Sequence, residues 1–427
     1  MVGLFIEDLK YYGCSMQAED LLAQALKDGT YFSNPHPLFA QLRKISPVFY
    51  SDSLAGWVLL KYDDVDSVLR RAETFSSAGR VIHLINQLPP EIRAQLHLLE
   101  SHFATGLAHT DAPEHKRLRG LLARAFTPKM IENSREYVNF VVRDRVSTLP
   151  REFDLIEDLL VPIPALVVGK MLGSSETDIP DLIRWAGAIN GLYERGGRID
   201  PEKALYAEKM LEEIREFVLR LVAHRRANPD LDPNSDVLAG LVLAESDGDS
   251  LTESELVSTV VTLFVAGHET TTHLLGNGFL ALLCNGSLWN SIQGKPEVIA
   301  GVVDEMARFD GSVPRSWRIA REDVVINEVS IPAGSLVLPM LTSANRDPEV
   351  FEDPDRFDIY RDSKRHIAFG KGVHVCLGAP LARVEGQEIL KVLLELKPNL
   401  ALACSPSELL WRKDVALPGL ISLPVTS

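Results

Sequence analysis

The stretch "FGKGVHVCLG", residues 369–378, decides how the rest of the chain is read. It sets one of four cysteines, Cys376, among three glycines, with His374 two residues ahead of it. The segment that follows, "APLARVEGQEILKVLLEL", carries Pro380 near its start and apolar residues at helical spacing, which predicts a helix from about Pro380 to Leu396. Cys376 then lies just ahead of a helix N-terminus, where unpaired N–H groups and the positive end of the helix dipole lower a thiol's pKa and favour thiolate. Glycines 370, 372 and 378 let the backbone turn tightly and approach a bulky partner, and Phe369 offers a flat apolar shield. The pattern fits a thiolate presented to a metal in a dry pocket. Other readings stand beside it. A cysteine is often a small hydrophobe of the core. His374 and Cys376 are half of a zinc set whose other half is missing. A glycine-rich loop before a helix can hold phosphate, although neither Walker A nor G-x-G-x-x-G is present.

Composition narrows the field. The chain has 427 residues, 46% of them hydrophobic, which is enough for a large core. Net charge is −15, from 44 basic and 59 acidic residues, which argues against non-specific nucleic-acid binding but leaves room for a local basic patch. Cys14, Cys284, Cys376 and Cys404 are scattered without paired spacing, so a disulfide framework is not expected and a reducing cytoplasm is. The N-terminus "MVGLFIEDLKYYGC" lacks the pattern of a secretory signal, and no apolar run approaches the roughly 20 residues of a membrane span.

The chain shows no internal repeat or linker. "GWVLLKY" reads as a strand and "YDDVDSVLRRAETF" as a helix after it. Between about 111 and 310 the pattern is mostly helical. One helix starts with Asp200 as N-cap and Pro201 at the first position, and places Leu211, Ile214, Phe217, Val218, Leu221 and Val222 on one face. Another starts with a capping box, Thr252 and Glu255, and runs to "CNG" at 284–286. At about 1.5 Å per residue it crosses a whole domain. It is apolar nearly all round, which marks a buried helix, yet its middle is "AGHETTT". After 310, "RIAREDVVINEVSIPAGSLVLPML" reads as short strands with turns at "INE" and "PAG". These elements predict an α+β fold, mainly α-helical, forming a single domain over residues 1–427 with β-rich parts near 45–65 and 315–345.

The quoted stretch matches every specified position of F-G-x-G-x-H-x-C-x-G and so resembles the haem-binding loop of the cytochrome P-450 superfamily. Three further segments occur in the right order, and the resemblance covers most of the chain. "VVDEMARF" holds Glu305 and Arg308 as E-x-x-R, a pair that this family buries and completes with a downstream arginine, here assigned to Arg356 in "EDPDRFD". "AGHETT" resembles the oxygen-activation segment and gives catalytic roles to Glu269 and Thr270. Threonine hydroxyls there can bond to carbonyls one turn back and loosen the helix. "HTDAPEHKRLRGLLARAFTP" resembles D-P-P-x-H-x-R-x-R, with Ala112 in place of the first proline, and offers His115 and Arg119 to a haem propionate. Arg318 in "WRIARED" and His366 in "RHIAFG" match the remaining propionate contacts. Ala307 and Gly311 depart from the commoner leucine and proline.

The resemblance implies the family's fold, with a helix-rich body, a long central buried helix and a small β-rich subdomain. It implies haem b, held without covalent attachment, with Cys376 as axial thiolate and the only protein ligand to iron. Ala266, Phe369, Gly370 and Gly378 are the expected cofactor contacts beside the propionate set. The implied activity is monooxygenation: dioxygen and two electrons convert a sizeable lipophilic molecule by hydroxylation or epoxidation, in bacterial natural-product tailoring, with fatty-acid hydroxylation as the alternative. Specificity is expected from the 78–110 loop, the stretch around 180–205 with Arg195 and Arg198, Leu263 and Ala266 on the long helix, and the strand after Val313. No flavin or iron–sulfur segment is visible, so a separate ferredoxin and its reductase are implied. Lys116, Arg117, Arg124, Lys129 and Lys371 are the expected docking face for an acidic ferredoxin. Retention of Glu269 and Thr270 weighs against a peroxide-driven or non-oxygenative haem-thiolate enzyme. The expected protein is cytoplasmic, binds neither nucleic acid nor membrane, and is compatible with a monomer.

Overall fold

The computed structural model describes residues 2–192, 198–228, 236–243, 250–362 and 365–427. Its axis is the helix Glu253–Leu283, which begins at the anticipated capping box: Thr252 accepts from the Glu255 N–H and Glu255 from the Thr252 N–H. Leu256, Val260, Val261, Phe264, Leu274, Leu275, Phe279 and Leu282 are buried on several of its faces, as an all-round apolar sequence requires. The helices Pro162–Met171, Ile179–Asn190, Pro201–Ala227 and Ile299–Asp310 pack around it. Asp200 caps the third of these by accepting from the Lys203 N–H. The helix Ala379–Leu396 begins one residue before its predicted start and lies along Pro128–Thr148 and Ile299–Asp310.

The two β-rich parts of the sequence join in one sheet. Its strand order is Val48–Ser51, Gly56–Leu59, Leu336–Pro339, Arg318–Ala320, Phe75–Ser76. Trp57 lies parallel-paired to Val337, and Arg318 antiparallel-paired to the same residue, so the sheet carries Arg318 to a fixed depth beside the helical body. The hairpin Val324–Ile326 to Val329–Ile331 turns at Asn327 and Glu328, both with positive φ (49° and 66°), the geometry of a two-residue hairpin turn. A second sheet, Glu152–Asp154, Pro424–Thr426 and Ala401–Leu402, was not anticipated. Its strands are two or three residues long, too short to show a period of two.

The buried ion pair is where expected, but its third member is different. Glu305 and Arg308 are fully buried. Arg308 donates from Nε and Nη2 to the two carboxylate oxygens of Glu305, both at 2.8 Å, and from Nη1 to the carbonyls of Asn345 and Pro354 at 2.9 and 3.0 Å. The arginine that completes it is Arg361, whose Nε lies 3.3 Å from Glu305 Oε1. Arg356 gives only its carbonyl oxygen, at 3.3 Å from Arg308 Nη2, while its own guanidinium is 69% exposed with Asp358 3.8 Å away. The loop 352–362 folds back so that the Asp358 N–H also reaches Glu305 Oε1, at 3.0 Å, and this carries Arg361 over the pair.

Arg361→Ala removes a nearly buried partner of a buried carboxylate and should destabilise the fold by about 2 kcal/mol or more. Arg356→Ala should stay within about 0.5 kcal/mol of the parent. Urea unfolding of the two variants separates the assignments, and equal losses would contradict this network.

Candidate active site

The loop 369–378 is tied at both ends by its own backbone. The Cys376 N–H donates to the Phe369 carbonyl at 2.9 Å, and the Gly370 N–H to the Ile367 carbonyl at 2.9 Å. Gly370 and Gly372 have φ of 71° and 69°. The second also has no room for a side chain, because an added Cβ would lie 2.5 Å from the Leu69 carbonyl oxygen on the helix Tyr62–Arg70. Gly378 differs from expectation. Its φ is −81°, and an added Cβ would stand 3.9 Å from the Cys376 sulfur, an ordinary van der Waals contact, so neither its backbone nor that contact demands glycine.

The sulfur opens into a cavity of about 290 Å³. Its walls are mainly apolar, among them Leu122, Phe126, Val168, Met171, Leu263 and Ala266. Its polar edge is basic: Arg80, His115, Arg119, Arg318 and His374 line it, and no Asp or Glu does among the described residues. Cys376 is open to the cavity yet enclosed by protein, and burial pushes its thiol pKa up. The N–H groups of Gly378 and Ala379 and the charges of Arg119 and Arg383 pull the other way. The helix N-terminus thus acts as the sequence suggests, but desolvation outweighs it, and a metal cation held at this sulfur would supply the remaining stabilisation of thiolate.

The donor set at the polar edge fits a dianionic ligand such as haem. The rings of His115 and His374 are 4.1 Å apart, and Nε2 of each is buried without a hydrogen-bond partner. His374 Nε2 is also 4.0 Å from Asp111 Oδ1. Burial, then the neighbouring His115 and Arg318, push the His374 pKa down to about 3. Burial and Arg80 push Arg318 down to about 10. Unpartnered donors and crowded cations together call for carboxylates between them.

Several anticipated site residues lie elsewhere. His366 is buried and faces away: its Nε2 is 3.7 Å from Asp304 Oδ1, and its Nδ1 accepts from the Ala368 N–H at 3.2 Å. The histidine that joins His115 on the cavity is His374, inside the quoted motif and visible there. Phe369 and Gly370 do not line the cavity. The Phe369 ring carries the Arg383 guanidinium 4.7 Å above it, and Arg383 Nε is 2.6 Å from Asp304. Val313 packs into the core beside the five-stranded sheet, and Ser316 lines the cavity in its place. The stretch 180–205 contributes no described lining residue. Arg198 is exposed, and Arg195 lies outside the described residues. Val168, Met171 and Leu172 from the preceding helix take that role, and an apolar helix face gave no signal to single them out.

The middle of the long helix holds Thr270 and Glu269 on different faces. Thr270 Oγ1 donates to the carbonyl of Ala266, a cavity residue one turn back. Thr271 does the same to Gly267 at 2.9 Å, and Thr272 to His268 at 3.2 Å, yet the helix stays unbroken. Glu269 does not line the cavity. Its Oε2 accepts from Asn190 Nδ2 at 2.5 Å, its Oε1 pairs with Arg412, and His273 Nε2 lies 3.8 Å away. Burial works to raise its pKa, but His273 and Arg412 prevail and hold it at about 2.

The family model described as cytochrome P-450 matches residues 198–293 and 296–396. Cytochrome P-450 107B1 of Saccharopolyspora erythraea is 33% identical over 96% of this chain and 98% of its own. The cytochrome P-450 monooxygenase PikC of Streptomyces venezuelae is 34% identical over 92% of this chain and 91% of its own. The solved structure of the bacillaene polyketide synthase cytochrome P-450 PksS from Bacillus subtilis superposes with a TM-score of 0.82, at 32% identity over 93% of this chain and 97% of that one. The chain belongs to the cytochrome P-450 family, and its class is that of the haem-thiolate monooxygenases. No helix among the described residues is long and apolar enough to cross a membrane.

Gly372→Ala combines a positive φ, about 1–2 kcal/mol, with a backbone clash, and should cost about 3 kcal/mol or more. Gly79→Ala has a closely similar φ, 71° against 69°, with nothing within 4 Å of the added Cβ, and should cost only about 1 kcal/mol. Thermal unfolding of both variants checks the difference.

Proposed function

We propose that the chain hydroxylates or epoxidises a sizeable lipophilic small molecule, using dioxygen and two externally supplied electrons, in the tailoring of a bacterial natural product. The observation that carries this reading is the Cys376 sulfur opening into an apolar cavity edged by His115, Arg119, Arg318 and His374. Haem bound through that sulfur supplies the activation of dioxygen, with thiolate donation favouring cleavage of the O–O bond. His115, Arg119, Arg318 and His374 bind the carboxylates at its edge and fix its orientation. Leu263 and Ala266 wall the substrate space and exclude water. Thr270 holds its hydroxyl proton on the Ala266 carbonyl, on the same helix face as the cavity-lining residues one turn back. Glu269 stays ionised and anchors Arg412, which is 37% exposed and leads from the helix towards solvent. The kinship with PksS of the bacillaene polyketide synthase supports a polyketide-like substrate.

Electrons come from a separate ferredoxin and its reductase on this reading. Lys116, Arg124 and Lys129 are exposed and Lys371 is half-buried, which supports their part in a basic docking face. Arg117 leaves that set, because Glu255 and Glu114 (2.9 Å) hold its guanidinium.

Reduced protein under carbon monoxide should give the long-wavelength Soret band of thiolate-bound haem, and Cys376→His should replace it with that of imidazole-bound haem. A protein without the first band sinks the reading. Thr270→Ala should keep consuming reductant while product per electron falls roughly tenfold or more; unchanged coupling would remove Thr270 from the proton path.

A further inference from the structure

We propose that Glu208 is a positioning residue for the Cys376 cavity: its carboxylate holds the helix His97–Thr105, and through that helix the wall residues Leu107 and Ala108. No motif in the sequence marks it, and it reads there as one more charge on an amphipathic helix. The part of the inference that concerns ligand binding rests on the haem-thiolate reading above. Glu208 belongs to the helix Pro201–Ala227 and is only 8% exposed. Its Oε1 accepts from the Leu98 N–H and its Oε2 from the Leu99 N–H, both at 2.8 Å. These amides belong to the first turn of His97–Thr105, where no intrahelical acceptor exists. That helix brings no cap of its own, since Leu96 stands at the N-cap position and makes no side-chain bond there. A carboxylate from another helix takes the place, at the positive end of the dipole and with both oxygens engaged. Burial of the carboxylate is tolerable only with such partners, so the two helices fix each other.

The far end of the same helix is held by a second neighbour. Ser258 Oγ, on the central helix, donates to the His102 carbonyl at 3.0 Å and lies 3.1 Å from His102 Nδ1. Gly106 then turns the chain without slack: an added Cβ would stand 3.0 Å from the His102 carbonyl oxygen and 3.2 Å from Ser258 Oγ. Leu107 and Ala108 follow directly, and both line the cavity. Glu208 does not line it and acts only through this helix. Nine residues are too few for a helix to persist alone in water, so its shape and place are those its neighbours impose. Loss of Glu208 frees the end anchored on Pro201–Ala227 and leaves the end anchored on the central helix.

The test uses the purified holoprotein with Glu208→Ala and with Glu208→Gln, which keeps one carbonyl oxygen. Amide hydrogen exchange follows residues 97–109. Soret titrations with imidazole and with 4-phenylimidazole compare a ligand too small to reach the apolar wall with one whose ring packs on it. In Glu208→Ala, exchange at Leu98 and Leu99 should quicken roughly tenfold or more, with a smaller change in Glu208→Gln. The preference for 4-phenylimidazole over imidazole should fall roughly threefold or more. In a Leu107→Ala background, Glu208→Ala should shift that preference no further. Parental exchange at both amides overturns the proposal, and so does a parental ligand preference despite faster exchange. Exchange that rises equally along the central helix overturns it too, because Glu208 would then be a general stabiliser. Should Glu208→Ala not fold, Glu208→Gln carries the same comparisons. A parent protein lacking the thiolate-haem spectrum would instead sink the underlying reading, while the exchange result still decides the clamp.

Discussion

The buried pair of Glu305 and Arg308 is the constraint on which the rest of this structure depends. Two charges removed from water are tolerable only when every donor and acceptor is met, and here the partners come from distant segments. Arg308 takes the Asn345 carbonyl, and the Asn345 side chain accepts from the Ile367 N–H at 2.7 Å. Ile367 then receives Gly370, and Phe369 receives Cys376. A continuous run of hydrogen bonds thus leads from the ion pair to the sulfur. The pair need not add net stability to matter. Its geometry admits one arrangement of the loops it joins, and that arrangement sets where the sulfur stands.

The cavity sets two tendencies against each other. Burial disfavours the charged form of Cys376, while the N–H groups of Gly378 and Ala379 and the charge of Arg119 favour it. At the polar edge the same dryness depresses His115, His374 and Arg318. A ligand that brings a metal cation at its centre and carboxylates at its rim relieves both at once. Glu269 lies outside this balance. It is held ionised by Arg412 and His273 and joins the central helix to Asn190 and to the segment that carries Arg412.

Where local signals were dense, the sequence was legible. The caps at Thr252 and Asp200, the helix after Cys376 and the hairpin at Asn327 each rest on a few adjacent residues, and each is present. The motif histidine His115 and Arg119 reached the cavity because i and i+4 share a helix face. The misplacements share a cause. Choosing Arg356 over Arg361, or His366 over His374, requires knowing how an irregular loop folds back, and loops without a period carry no such information. Apolar lining residues such as Met171 look like any other core residue until a cavity is seen beside them. The short strands at 152–154 and 401–402 exist because they pair with the last strand, which is a tertiary fact.

That last strand, Pro424–Thr426, lies between Glu152–Asp154 and Ala401–Leu402, and the Ser427 N–H donates to the Arg151 carbonyl at 2.9 Å. It is the central strand of this sheet, and without it Glu152–Asp154 and Ala401–Leu402 would each keep an unpaired edge. Segments far apart in the sequence meet on it, so the sheet carries the entropy of closing a long loop and should form late relative to the local helices.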